Sequence, residues 1–257
     1  IVRTFPGYFL IVFGLFLTGG LIYPAWFLTF TFNIKYFYLS MAGPNQEIFR
    51  NWVQHGTHLW SMSSEEQFYL IFPILFAFVG AKRRVHLLCL LLFSSILCRI
   101  YLSQKYAEGG YGFGAFYGAL LPVCGEYVLW GAMAAAFLGK KREALSYISP
   151  AYLIYGGLCV FLLLISFQDF SGHEPFMIVF RPPVTQSLYA LSIAAFVLGL
   201  WLDRDSRISK ILAFGPFPYL GKITYGLYLF HLFSWELTQK FFQSFPAYEG
   251  PYSVMSV

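Results

Sequence analysis

The sequence predicts an all-α fold, a polytopic transmembrane helix bundle of about seven spans with one short interfacial or re-entrant segment. Three observations predict it. Of the 257 residues, 58% are hydrophobic and 11% are charged, whereas a soluble domain carries about 25% charged residues; mean hydropathy is +0.62. Apolar runs of the roughly 17–25 residues that a bilayer crossing needs recur along the chain. Lys and Arg gather at every second connection between those runs, as in a chain that threads a membrane repeatedly. This composition excludes a soluble enzyme built on one core.

The first run, 6–23, opens the chain as a span. Positions 25–38 form a shorter stretch broken by Asn33 and Lys35, which suits an interfacial or re-entrant segment better than a crossing. Runs at 62–80, 85–101, 113–138, 151–168, 185–202 and 211–235 complete the seven. The basic groups Lys82-Arg83-Arg84, Lys140-Lys141-Arg142 and Arg204, Arg207, Lys210 then face the cytoplasm together with Arg3. Loops 39–61, 102–112 and 169–184 face outward, so Arg3 and the carboxylate pair Glu65-Glu66 are expected on opposite faces.

The net charge of +5 lies in these short clusters, where the positive-inside rule accounts for it, and no nucleic-acid partner is expected. Cys89, Cys98, Cys124 and Cys159 show no Cys-x-x-Cys spacing and no accompanying His cluster. They read as small buried hydrophobes, with no metal site. No repeat or linker divides the chain, so residues 1–257 are taken as one domain. The absent initiator Met and the tail at Val257 are those expected of a piece truncated at both ends.

Chemistry-bearing residues concentrate in two places. In Trp60-Ser61-Met62-Ser63-Ser64-Glu65-Glu66-Gln67-Phe68-Tyr69, Ser63 and Glu66 have capping-box spacing, which assigns Glu66 to helix initiation. Glu65, about 100° further round the helix, lines up with Phe68, Tyr69 and Phe72. Partly desolvated there, it is either a general acid or base or a solvated interfacial acid. Pro73 lies deeper in the same run and is expected to kink it. Near the other end, Thr224, Tyr228, His231 and Trp235 share a helical face that is poorly suited to lipid. His231 is a proton carrier or a buried hydrogen-bond partner. His55 and His58 read as exposed loop residues, and Arg99, Glu126 and Arg181 stand out as ionisable groups in or beside spans.

These two stretches resemble the acyltransferase-3 family of membrane O-acyltransferases. The first is close to that family's Trp-Ser-Leu-Ser-Val-Glu-Glu-Gln-Phe-Tyr pattern. The second, Tyr219-Leu220-Gly221-Lys222-Ile223-Thr224-Tyr225-Gly226-Leu227-Tyr228-Leu229-Phe230-His231, is similar to its late-helix Leu-Gly-x-x-Ser-Tyr-x-x-Tyr-Leu-x-His. Arg3-Thr4-Phe5-Pro6 resembles the end of an Arg-x-x-Arg-x-x-Pro element.

The resemblance implies transfer of an acyl group, usually acetyl, from acyl-CoA as co-substrate to a hydroxyl of an extracytoplasmic glycan or cell-surface polysaccharide such as lipopolysaccharide, in a bacterial plasma membrane. It implies catalytic roles for Glu65, Glu66 and His231 and acceptor contacts from Trp60, Ser61, Gln67, Tyr69 and Tyr228. Arg3 would bind the acyl donor, and no bound cofactor is expected. The family's first-span His and the first Arg of its pair would stand before Ile1, so the chain alone is expected to be inactive. The alternative from another class is a secondary transporter or polysaccharide-lipid translocase using Glu126, Arg99 and His231.

Overall fold

The computed structural model describes residues 4–17, 21, 23–41, 56, 58–106, 117–140, 147–170 and 183–243. Arg3, His55 and Arg181 of the sequence reading lie outside them, as does the side chain of Trp235. Among the described residues the regular structure is helical, with no strand. Helix α1 spans Phe5–Leu17, α2 Pro24–Leu28, α3 Phe32–Met41, α4 Leu59–Phe78 and α5 Arg84–Tyr106. A 3-10 turn at Tyr117–Ala119 leads to α6, Leu121–Lys140; α7 is Pro150–Phe170, α8 Pro183–Leu202, α9 Arg207–Leu212 and α10 Pro216–Gln243.

Among the described residues, three helices are long and apolar enough to cross a membrane, over Arg84–Lys105, Leu121–Leu138 and Thr185–Leu202, and Phe5–Leu17 and Pro150–Ser166 are shorter apolar helices. This makes the chain an integral membrane protein with fewer clear spans than the seven expected. Within expected span 6–23 the described helix is Phe5–Leu17, 13 residues or about 20 Å at 1.5 Å per residue, against a ~30 Å hydrocarbon layer. Helices α4 and α10 have the length, but their sequences mix apolar residues with Ser, Glu, Gln, Lys and His.

Positions 25–38 form two short helices, not one. Pro24 opens α2 at the position where its missing N–H costs nothing, and Thr29 Oγ1 turns back to the Ala25 carbonyl at 2.7 Å. Phe30 then takes φ 52°, a left-handed conformation that costs a non-glycine residue about 1–3 kcal/mol. Packing holds it there. The Phe30 ring stacks on Tyr8 at 4.7 Å and on Phe5 at 5.3 Å, and its carbonyl accepts Gln67 Nε2 at 2.7 Å. Phe27, Phe32 and Asn33 are buried, while Leu28 and Tyr38 are exposed, so one side of the segment packs against protein. Broken backbone at membrane depth is tolerated in such a place.

Helix α4 joins two cores. Its Leu59 and Met62 enter a cluster with Tyr8, Val12, Leu15, Phe27 and Leu229. Further along, Phe68, Phe72 and Phe76, stacked at 4.5 and 4.3 Å by their i,i+4 spacing, cover Leu88, Leu92, Leu129 and Met133 of α5 and α6. Helices α7 and α8 approach closely because of two glycines. A Cβ on Gly157 would lie 2.7 Å from the Ser192 carbonyl oxygen, and one on Gly199 would lie 2.8 Å from the Ile154 nitrogen. Small residues permit such backbone contact in membrane helices.

Cys89 and Cys159 are exposed and Cys98 and Cys124 half-buried, so the expectation of four buried thiols is corrected. The outer face of a membrane helix is itself apolar, and an apolar residue there is no sign of burial.

Candidate functional site

The capping-box reading of Ser63 and Glu66 does not hold. Helix α4 begins at Leu59 with no side-chain cap, and Ser63 Oγ instead donates to the Leu59 carbonyl at 3.4 Å. Burying Leu59 and Met62 is worth about 1.5–3 kcal/mol each, more than the ~1 kcal/mol of a cap. The helix therefore starts a full turn earlier than a cap at Ser63 would place it. Glu66 lies inside the helix, and neither carboxylate is committed to its start.

Helical spacing sorts the α4 side chains onto three faces. Ser64 and Gln67 face α3 and the 3-10 turn. Asn33 Nδ2 lies 3.1 Å from Ser64 Oγ, 3.1 Å from Gln67 Oε1 and 3.2 Å from the Ala119 carbonyl oxygen. Gln67 Nε2 returns a bond to Asn33 Oδ1 at 2.9 Å, and Ser64 Oγ donates to Ala119 O at 2.9 Å. Both ends of the Gln67 amide are thus engaged by protein. The sequence reading took Asn33 only as an interruption; the structure makes it the hub that fixes this part of α4.

A second face turns toward α10. The Tyr228 hydroxyl donates to the His58 carbonyl oxygen and is hydrogen-bonded to Ser61 Oγ. Ser61 Oγ also lies 3.3 Å from that same carbonyl. His58 Nε2 donates to the Leu229 carbonyl oxygen at 3.3 Å. His231 Nδ1 donates to the Tyr228 carbonyl oxygen at 2.5 Å, and its ring stands edge-on to that of His58 with 5.0 Å between centroids.

His58 is therefore buried, 9% exposed, which corrects its reading as an exposed loop residue. Burial, and the nearby imidazole of His231, push its pKa down to about 4. The signal was present in the spacing, since His58, Ser61 and Glu65 follow i, i+3, i+7. It was missed because the helix was started too late. His231 is exposed, which departs from its reading as a buried partner. Glu65 is exposed and Trp60 half-buried.

The third face carries Glu66 and Tyr69. With Gln67 and Leu70 they line a pocket of about 430 Å³ closed by Thr4 and Phe5 of the chain start and Thr29 and Phe30 of the broken segment. Tyr225 of α10 donates to the Thr4 carbonyl oxygen at 2.6 Å. The expectation set Arg3 a bilayer away from the carboxylates. Its neighbour Thr4 instead shares a pocket with Glu66, because the short α1 starts beside the second turn of α4.

Arg99 and Glu126 sit elsewhere, between α5 and α6. They are ion-paired at 2.8 Å with both side chains wholly buried, Trp130 Nε1 donates to Glu126 at 3.1 Å, and Arg99 Nη2 donates to the Val123 carbonyl oxygen at 2.9 Å.

Comparison with known proteins agrees with the motif reading. The family model described as "Acyltransferase domain", acyltransferase-3, matches residues 1–256. The chain is 27% identical over 183 residues to the peptidoglycan O-acetyltransferase OatA of Listeria monocytogenes, covering 68% of this chain and 28% of that protein. It is 26% identical over 182 residues to the O-acetyltransferase OatA of Staphylococcus aureus, again 68% of this chain and 28% of the relative. The chain thus spans little more than a quarter of the length of these curated relatives. No solved structure matches it significantly. The match along nearly all of its length establishes that the chain belongs to the acyltransferase-3 family.

Proposed function

We propose that the protein transfers an acyl group, acetyl by analogy with its relatives, from acyl-CoA to a hydroxyl of an extracytoplasmic cell-wall glycan, peptidoglycan being the first candidate, in a bacterial plasma membrane. The observation that carries this is the convergence, on one helix, of the two family-like motifs. Helix α4 presents Ser61 to Tyr228 of the second motif, with His58 at its start bonded to Tyr228 and Leu229 of that motif, and, a turn on, Glu66 and Tyr69 to a pocket at the chain start.

Acyl transfer to a hydroxyl needs a group to take the acceptor proton and donors for the oxyanion. The Ser61 and Tyr228 hydroxyls are donors of the right kind once turned from the His58 carbonyl oxygen that they contact at rest. Glu65 and Glu66 serve proton handling or orientation, Trp60 and Tyr69 supply faces on which a sugar ring packs, and Gln67 holds the pocket wall through Asn33 and Phe30. Arg3, next to Thr4 of the pocket, is proposed to bind the anionic donor. The transporter alternative gains nothing from the geometry, since Arg99 and Glu126 pair with each other while His231 meets His58 and Tyr228.

The test is acyl transfer by the full-length protein in proteoliposomes, using labelled acetyl-CoA inside and a soluble glycan acceptor outside. Label appearing on the glycan as an alkali-labile ester is expected, with Glu65→Gln lowering the rate at least tenfold. Ion-coupled solute uptake without ester formation would reverse the assignment.

A further inference from the structure

Helices α4, α5 and α6 leave a second cavity between them, of about 380 Å³, on a different face of α4 from Glu66 and Tyr69. Phe72 and Leu75 of α4, Leu91 and Cys98 of α5, and Gly125 and Leu129 of α6 contribute to its wall. The α5 and α6 residues lie within the apolar spans Arg84–Lys105 and Leu121–Leu138, so the cavity is at membrane depth. From Leu91 to Cys98 it follows α5 for about 10 Å at 1.5 Å per residue. That is most of the ~15 Å that the chains of one leaflet cover in a ~30 Å hydrocarbon layer.

Water has no hold in this cavity. A buried water needs about two to four polar partners, and none of the unpaired buried polar side-chain atoms among the described residues belongs to the lining. The Ser95 hydroxyl on the wall is already given to the Pro122 carbonyl oxygen at 2.6 Å. The volume is more than twice the ~150 Å³ at which an apolar cavity takes up benzene. Ile71 and Leu75 line it and are also 43% and 36% exposed, so it opens onto the outer surface. Ile74 of α4 and Leu90, Phe93 and Leu97 of α5 make that surface apolar, and in a bilayer lipid chains meet it.

We propose that this cavity binds one acyl chain of a bilayer phospholipid, which enters past Ile71 and Leu75 and lies along α5 between Leu91 and Cys98. An empty slot of this size forfeits the dispersion contacts of every side chain around it. A hydrocarbon chain restores them, and the medium at the opening supplies one. The lining carries no charge and no free donor, so nothing in it selects a polar ligand. The site is separate from the carboxylate pocket and does not depend on the acyl-transfer reading.

The test places the full-length protein in phosphatidylcholine nanodiscs containing a phosphatidylcholine with a diazirine at mid-chain, irradiates them and locates the label by mass spectrometry. Label is expected on Phe72 and Leu129 inside the cavity as well as on Phe93 and Leu97, which face lipid directly and serve as the control. Gly125→Leu fills the cavity; a Cβ there meets Leu121 Cδ1 at an ordinary 3.6 Å. It should lower the label on Phe72 and Leu129 roughly tenfold, the effect of losing about two buried methylenes, and leave that on Phe93 unchanged. Ser94→Phe, at an exposed position of the lining, serves the same comparison if the Gly125 variant does not accumulate folded. Label confined to Phe93 and Leu97 in the wild type means that the cavity is empty or covered by protein, and overturns the proposal. So does cavity label that persists in a folded, filled variant. Either result leaves the O-acyltransferase reading as it stands, since no transfer is measured.

Discussion

Arg99 of α5 and Glu126 of α6 form a 2.8 Å ion pair with neither side chain exposed. Removing one partner of a buried pair strands a charge and costs about 3–5 kcal/mol, whereas replacing both by apolar residues of like size is often neutral. Arg99→Met alone is therefore expected to lower the thermal midpoint sharply, and Arg99→Met with Glu126→Leu to recover most of the loss. Thermal denaturation of the purified protein in detergent, over the four combinations of this cycle, measures the coupling. Additive losses would show that the pair does not hold α5 to α6.

Helices α7 and α8 depend on Gly157 in the same way that α5 and α6 depend on this pair. A Cβ there would meet backbone atoms of Ser192 and Phe196 at 2.7 and 2.9 Å, and backbone cannot rotate away as a side chain can. Gly157→Ala is expected to cost about 1–3 kcal/mol through overpacking, and Gly157→Val more. Gly156, the next residue, has open space where its Cβ would stand. Gly156→Ala is the control and should leave the thermal midpoint unchanged.

Asn33 and Gln67 exchange amide hydrogen bonds of 2.9 and 3.1 Å. Asn33→Leu leaves Ser64 Oγ and Gln67 Oε1 without the donor that Asn33 supplies, so a loss of about 1–3 kcal/mol is expected. In a double-mutant cycle with Gln67→Leu, the second substitution should cost less than it does alone. Because this network seats α4 against the broken segment, acetyl transfer should fall with Asn33→Leu even at temperatures where the protein remains folded.

The depressed pKa of His58 links stability to pH. Its value is about 4 in the folded chain against an ordinary 6.5, so between these pH values the unfolded chain binds a proton that the native one does not. Stability is then complete above pH 6.5 and falls as pH drops toward 4, by roughly 3 kcal/mol in all. Between pH 7 and 4 the thermal midpoint of wild type should fall further than that of His58→Gln, which has no imidazole to protonate on unfolding. Parallel curves would mean that His58 does not titrate in this window.

Composition and hydropathy were enough to determine an integral membrane bundle, because transfer of apolar surface depends on residue type and little on neighbours. The motifs around Glu65 and His231 were equally legible, since they are local strings. The start of α4 was not, because a capping box and a buried Leu59 compete, and only the neighbouring helices decide which wins. Asn33 looked like a break in a run and His58 like loop; each acquired its role from residues far along the chain, Ala119 and Gln67 for the first and Tyr228, Leu229 and His231 for the second. The placement of Thr4 beside Glu66 also came from tertiary structure, as charge counting orders segments across a bilayer but cannot tell that a 13-residue helix begins within the bundle. Sequence determined which residues could do acyl-transfer chemistry. Packing decided which of them meet, because side-chain proximity depends on contacts between helices that no local pattern encodes.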